Sequence, residues 1–438
     1  MAVTGWFVAL LAVGAIPIVA IGQWWVLPVW LAAVLGLAAL DLALAASPRR
    51  LRVERSTGGR TRLGTAVETS VGIANLGPRA MRAIVRDAWP PSAQAAPSRH
   101  RVRIPAGERR TLRTTLTPFR RGRLAAADVT VRSFGPMRLA ARQATLRTPG
   151  EVLVLPPFHA SRHLPSRLAR LRELDGATSV MIRGQGTEFD SLRDYVRGDD
   201  VRSIDWRATA RRDLPSPVPQ PRLVVRTWRP ERDRRVVIVI DSGRQSAARI
   251  ANETRLDTAF ESALLLGALA SAAGDRVDLV IADRRVRGRV RGATGADLLS
   301  TMVETMATID PELIEPDWAA VPGLVRSATA QSALVVLCTA ADSPGGVRGL
   351  LAVLPQLTRR HRVLVASVID PDVAAARTVS GRIDDVYLAA AAERAMLDRT
   401  RVAAAVRRLG GDVVDGTPSA LPPALADRYL ALKAAGLL

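Results

Sequence analysis

One stretch limits what this chain can fold into more than any other. Met1–Pro48 contain no Lys or Arg, and Asp41 is their only charged residue. Such a segment needs an apolar environment for most of its surface. It divides into two apolar runs, about 5–21 and 24–46, linked by Gly22-Gln23. A membrane-spanning helix needs about 20 apolar residues, a length the second run reaches and the first falls short of. Trp24, Trp25 and Trp30 suit an interfacial aromatic belt. Arg49, Arg50, Arg52 and Arg55 follow directly, and the positive-inside rule assigns that flank to the cytoplasm. The segment therefore predicts a transmembrane helical hairpin over 1–48, with every later domain cytoplasmic. A secretory signal peptide would open on a basic region, which this sequence lacks. Asp41 lies about two helical turns from Ser47, close enough to reach the headgroups.

Beyond the hairpin the chain is ordinarily charged, although mean hydropathy over all 438 residues is +0.11. The net charge of +21 is almost entirely arginine, since Lys433 is the only lysine. The membrane tether makes anionic lipid headgroups the nearest counter-charge. Nucleic acid is not expected as a partner: the arginines are spread along the chain, no binding motif appears, and aromatics make up only 4%. Cys338 stands alone within the apolar run Leu334–Cys338. No disulfide can form within one chain, and the thiol reads as structural.

From Leu51 to Pro157 the apolar period is two. Val67, Thr69, Val71 and Ile73 alternate with other residues and end at the turn Asn75-Leu76-Gly77-Pro78. Short runs follow at 83–85, 102–104, 112–116, 129–131 and 152–155, separated by Pro and Gly. This spacing predicts a small β-sandwich over 51–157. Residues 158–235 form a polar connecting segment with a proline-rich loop at 213–221. From Val236 the pattern changes again. Val236–Ile240 is a continuous apolar run ending at Asp241, as a strand buried on both faces requires. Helical and strand patterns then alternate to Leu438, so 236–438 predicts an α/β doubly wound domain.

Few residues offer chemistry. His159 and His163 share a helical spacing, but no carboxylate completes a metal set. No nucleophile elbow, phosphate-binding loop or zinc signature is present. Two features stand out. The first is segment 186–211, where acids and arginines interleave: Arg193, Tyr195, Gly198, Asp199, Arg202, Asp205, Trp206 and Arg211 are its most distinctive members. Bidentate Arg–carboxylate pairs could hold irregular backbone there as a clasp; an exposed docking surface is the alternative. The second is Asp241, at the carboxyl end of the first strand of the α/β domain, where such sheets bind ligands and where a carboxylate suits Mg²⁺.

The core Gly198-Asp199…Arg202…Ile204-Asp205-Trp206…Ala208-Thr209-Ala210-Arg211, with the order of the domains, resembles the bacterial family known only as domain of unknown function 58. The resemblance covers essentially the whole chain. It implies a C-terminal von Willebrand factor A-like domain and a MoxR-type AAA+ ATPase as partner. The metal site of von Willebrand factor A domains uses Asp-x-Ser-x-Ser. Here Asp241 matches, Gly243 and Gln245 stand at the serine positions, and Thr339-Ala340-Ala341 precede Asp342, so the later acid is displaced or absent.

The expected function is thus a membrane-anchored, non-catalytic scaffold or adaptor that binds protein partners through its C-terminal domain, with no cofactor and the Mg²⁺ site degenerate. The alternative is a metal-dependent enzyme using Asp241 with Asp199, Asp200 or Asp205.

Overall fold

In the computed structural model, which describes residues 2–179, 188–196, 201–212, 223–229, 234–378 and 381–438, the apolar N-terminus folds as helices Gly5–Val13, Ala15–Ile21 and Val26–Leu44. Among the described residues the last is the one helix long and apolar enough to cross a membrane. At 1.5 Å per residue its 19 residues reach about 28 Å, close to the hydrocarbon thickness of a bilayer. Gly5–Ile21 is a shorter apolar stretch, broken at Gly14, where a side chain would collide with the Trp30 indole. It ends at Gly22, whose φ of 67° lets the backbone turn left-handed and close the helix.

The chain divides into two compact units, Met1–Pro157 with Met306–Thr308, and Phe158–Thr305 with Ile309–Leu438. In the first, a five-stranded sheet takes the order Ala2–Val3, Ala140–Leu146, Val129–Phe134, Met81–Arg86, Arg99–Ile104, all antiparallel. A three-stranded antiparallel sheet holds Leu51–Ser56, Val67–Asn75 and Arg109–Leu116. Val71 and Ile73 of one sheet and Met81, Val85, Ile104 and Val131 of the other share one buried core. The period-two alternation that predicts these strands is what supplies both sheets with an apolar inner face. A smaller sheet joins Arg60–Arg62, Glu151–Leu155 and Gly122–Ala125.

The long apolar helix Val26–Leu44 is fastened to this unit. Asp41, fully buried, accepts backbone N–H bonds from Met137 at 2.7 Å, Leu139 at 2.8 Å and Ala140 at 3.0 Å. The Arg142 and Arg79 guanidiniums donate to the carbonyls of Leu42 and Ala43, near the helix end. Asp41 therefore does not simply reach for headgroups, as its position in the sequence suggests.

The second unit is built on a six-stranded sheet. Its first strand, Arg235–Asp241, lies between the second, Arg276–Ala282, and the fourth, Leu334–Cys338. The fifth, Arg362–Val368, and sixth, Asp412–Gly416, continue outward in parallel, while the third, Val286–Val290, closes the opposite edge antiparallel. Helix Arg255–Ala272 begins with a capping box between Thr254 and Asp257. It then buries Leu256, Phe260, Leu264 and Leu265 completely, each worth about 1.5–3 kcal/mol of apolar transfer. Helix Leu421–Ala434 carries the chain's lysine: Lys433 is buried, 3.2 Å from Asp275, which also accepts the Tyr429 hydroxyl at 2.5 Å.

Candidate functional site

Two strands from the polar segment, Glu188–Asp194 and Val224–Arg229, pair antiparallel with a bulge after Phe189. Asp205 begins the short helix Trp206–Arg212 beside them. Its Oδ1 accepts the N–H groups of Arg207 and Ala208, both at 3.0 Å, which satisfies the donors at a helix start. Its Oδ2 accepts from Arg226 Nε at 2.7 Å. These donors, the Ala208 N–H and then the Arg226 guanidinium foremost, hold the Asp205 carboxyl below the usual carboxylate range. Thr209, buried, donates to the Asp205 carbonyl and accepts the Val224 N–H at 3.1 Å. The Asp205 N–H in turn reaches the Val224 carbonyl at 2.8 Å. Helix and strand are thereby locked together over a small core of Ile204, Val224 and Val225.

Around this lock apolar side chains stand exposed among charged ones such as Arg202, Arg207 and Arg226. Trp206 is 65% exposed, and Leu192, Val196 and Val201 are exposed as well. Within the segment Asp205, Arg226 and Thr209 form a clasp, and Trp206 stands outside it. Of the other motif residues, Tyr195 is half-buried and its N–H bonds the Leu223 carbonyl at 2.7 Å. Arg193 donates to the Asp194 carbonyl at 3.3 Å. Arg202 lies on the exposed turn Val201–Ser203, and Arg211 is in the Trp206–Arg212 helix. Gly198, Asp199 and Asp200 lie outside the described residues. Sequence reading did not single out Thr209 or Arg226 as partners of Asp205.

Asp241 lies where the order of the large sheet reverses, between the first strand and the fourth. It is buried, which pushes its carboxyl up from the ordinary range despite hydrogen bonds from the Gly243 N–H at 2.7 Å and the Thr339 hydroxyl at 2.8 Å. Ser246 donates to the Asp241 carbonyl, and Ser242 donates to Asp283. Asp342 is held by Arg255 and Arg399.

These residues do not fit a Mg²⁺ ion of the von Willebrand factor A kind. Ser246 and Ser242 stand outside the two serine positions of that motif, Gly243 and Gln245 occupy them, and two guanidiniums claim the later acid. A serine at position 243 would bring its Cβ to 2.7 Å from the Ile314 carbonyl oxygen, closer than real Cβ atoms come. Among the described residues no group of three or more His, Cys, Asp or Glu converges as a metal site. Asp205 and Asp241 have separate partners and are not drawn into a common cluster.

Fold and site define a class: an α/β protein with a mixed six-stranded sheet, an arginine-locked switch point, an exposed tryptophan on a clasped helix, and an N-terminal apolar helix of membrane-crossing length. The family model described as "Protein of unknown function DUF58" matches residues 191–402. Uncharacterized proteins of Mycobacterium tuberculosis and Mycobacterium bovis are 30% identical over 248 residues, which cover 52% of this chain and 75% of theirs. The chain belongs to the DUF58 family. Among solved structures, the CARDB domain of a Pyrococcus furiosus protein aligns over 24% of this chain and 94% of that one, at 16% identity and a TM-score of 0.17. A Caenorhabditis elegans member of the MSP family aligns over 24% and 97%, at 12% identity and a TM-score of 0.18.

Proposed function

We propose that this protein is a membrane-anchored, non-catalytic scaffold, whose C-terminal domain is of the von Willebrand factor A type and binds a MoxR-type AAA+ ATPase. The observation that carries the protein-binding part is Trp206: a large aromatic, 65% exposed, on a helix fixed by Asp205, Arg226 and Thr209. Aromatic anchors on rigid supports supply most of the energy at protein interfaces. The choice of an AAA+ ATPase rests on the family resemblance. The central position of the first strand and the antiparallel third strand support the domain type.

The N-terminal segment crosses the bilayer twice and leaves both units in the cytoplasm of a bacterial cell. Supporting this, Ala2–Val3 pair with Ala140–Ala141, and Thr4 bonds Leu139, on the same turn that Asp41 grips. A segment that leaves and rejoins one turn crosses a membrane an even number of times. The flank from Arg49 to Arg55 gives the side. Anionic lipid is the second partner.

Copurification of the full chain from native membranes, against a control carrying only residues 1–48, tests the reading. An AAA+ ATPase enriched with the full chain is expected; enrichment equal to the control would contradict it.

A further inference from the structure

We propose that the outer face of the five-stranded sheet is a docking surface for anionic lipid headgroups. This rests on the membrane-anchored reading and gives its lipid partner a specific address. The strands of this sheet contain no Asp or Glu. Their inner positions fill the core, so the alternate positions put Arg82, Arg86, Arg99, Arg101, Arg103 and Arg132 on the outer face, with Ile84 among them. Arg82 stands directly opposite Arg103, and Arg86 opposite Arg99. Like charges in directly opposed positions destabilise a sheet. Among the described residues the first five of these arginines form no ion pair, and Arg132 bonds only the neutral Gln143.

The other sheet of the same unit shows the contrast. On its outer face Arg52 and Arg109 pair with Glu54, and Arg113 pairs with Glu68. One face neutralises its own arginines; the other leaves a field for an external anion.

The anchor identifies that anion. Asp41, one turn from the end of the membrane helix, holds the turn from which Val129–Phe134 and Ala140–Leu146 run. Phe134 is opposite Arg82, and Arg82 opposite Arg103, so these two arginines share the rung nearest that turn. Arg101 and Arg132 lie two residues further, about 7 Å along the strands. A membrane anchor keeps headgroups permanently beside this unit, whereas nucleic acid or an acidic protein would have to be recruited.

The test uses the full chain carrying Ile84→Cys, labelled with a fluorophore and reconstituted into phosphatidylcholine vesicles with or without phosphatidylglycerol. Cys338 is buried and stays unlabelled. Headgroup spin-labelled lipid serves as quencher. Quenching roughly three-fold stronger with phosphatidylglycerol is expected, and it should fade at high salt, as surface attraction does. Arg101→Glu with Arg103→Glu should abolish the difference, while Arg52→Glu with Arg113→Glu should leave it. Equal quenching in both lipids, or a dye that responds only to added DNA or acidic polypeptide, would overturn the proposal. Carbonate washing of the same vesicles separates the two readings. A chain that stays bound without quenching overturns the docking face alone, and one that washes off overturns the anchor with it.

Discussion

Gly135 has no side chain because Asp41 occupies the space it would need: a Cβ there would collide with the Asp41 carboxylate and backbone. A residue of the long N-terminal apolar helix and one in a β-turn far along the chain are thus fitted to each other, and Asp41 completes the fit with three N–H bonds.

Replacing Asp41 with Ala is expected to leave buried N–H groups of that turn without acceptors, at a cost of roughly 3 kcal/mol. Asp41→Asn keeps one carbonyl oxygen and should lose less. Gly135→Ala should open the turn without altering charge. Protease cleavage within residues 135–140 of the detergent-solubilised chain reads all three, and cleavage at the wild-type rate in Asp41→Ala would remove the clasp.

Asp205 and Asp241 are expected to give opposite pH dependences. The folded pKa of Asp205 is lowered, so its ionised form stabilises the fold above the unfolded value of about 3.9, and that stability is lost as pH falls through the folded pKa. Burial raises the folded pKa of Asp241, so the fold binds its proton more tightly than the unfolded chain does. Stability then declines as pH rises from about 3.9 through the folded value. Unfolding of wild type compared with Asp205→Asn should show the wild-type advantage growing with pH. Compared with Asp241→Asn, the advantage should shrink. Curves of the same sign would contradict the assignment.

The thiol of Cys338 is completely buried in the fourth strand of the large sheet, and burial pushes it up to about 12. A thiolate is the reactive form. An aromatic disulfide reagent at mildly alkaline pH should therefore leave the native chain untouched and modify one thiol after denaturation.

Millimolar Mg²⁺ is expected to leave thermal unfolding of the full chain unchanged, because Asp241 and Asp342 are already committed to Gly243, Thr339, Arg255 and Arg399. A ligand bound only by the folded state would raise the midpoint. Such a rise, abolished by Asp241→Asn, would restore a metal to this site.

What could be read from the sequence follows from how each element is buried. The first, fourth and fifth strands of the large sheet are covered on both faces, so their apolar runs were continuous and unmistakable. The third strand, Val286–Val290, is an edge of sequence VRGRV, whose alternation rests on two valines around a glycine and is too short to mark it. Ala140–Leu146, of sequence AARQATL, carries one large apolar residue and no apolar alternation. The pairing of Glu188–Asp194 with Val224–Arg229 joins segments far apart in sequence, and only short apolar stretches hint at it. At the site, Asp205-Trp206 was visible as a motif, but the roles of Arg226 and Thr209 depend on the fold. Asp342 is visible just after the fourth strand, while its arginines come from two distant helices. Asp41 shows the limit most clearly, since all three of its partners are nearly a hundred residues away.

Trp206 offers the most direct measurement of the proposed scaffold role. Its side chain is exposed, so Trp206→Ala should shift stability by less than about 0.5 kcal/mol. If Trp206 anchors the partner, the AAA+ ATPase retained per full chain in native membranes should fall by roughly ten-fold, the effect of losing about 1.4 kcal/mol at an interface. Quantitative mass spectrometry of wild-type and Trp206→Ala complexes, matched for the amount of anchored chain, reads this ratio. Retention of the ATPase at the wild-type level by the variant would contradict the role assigned to this surface.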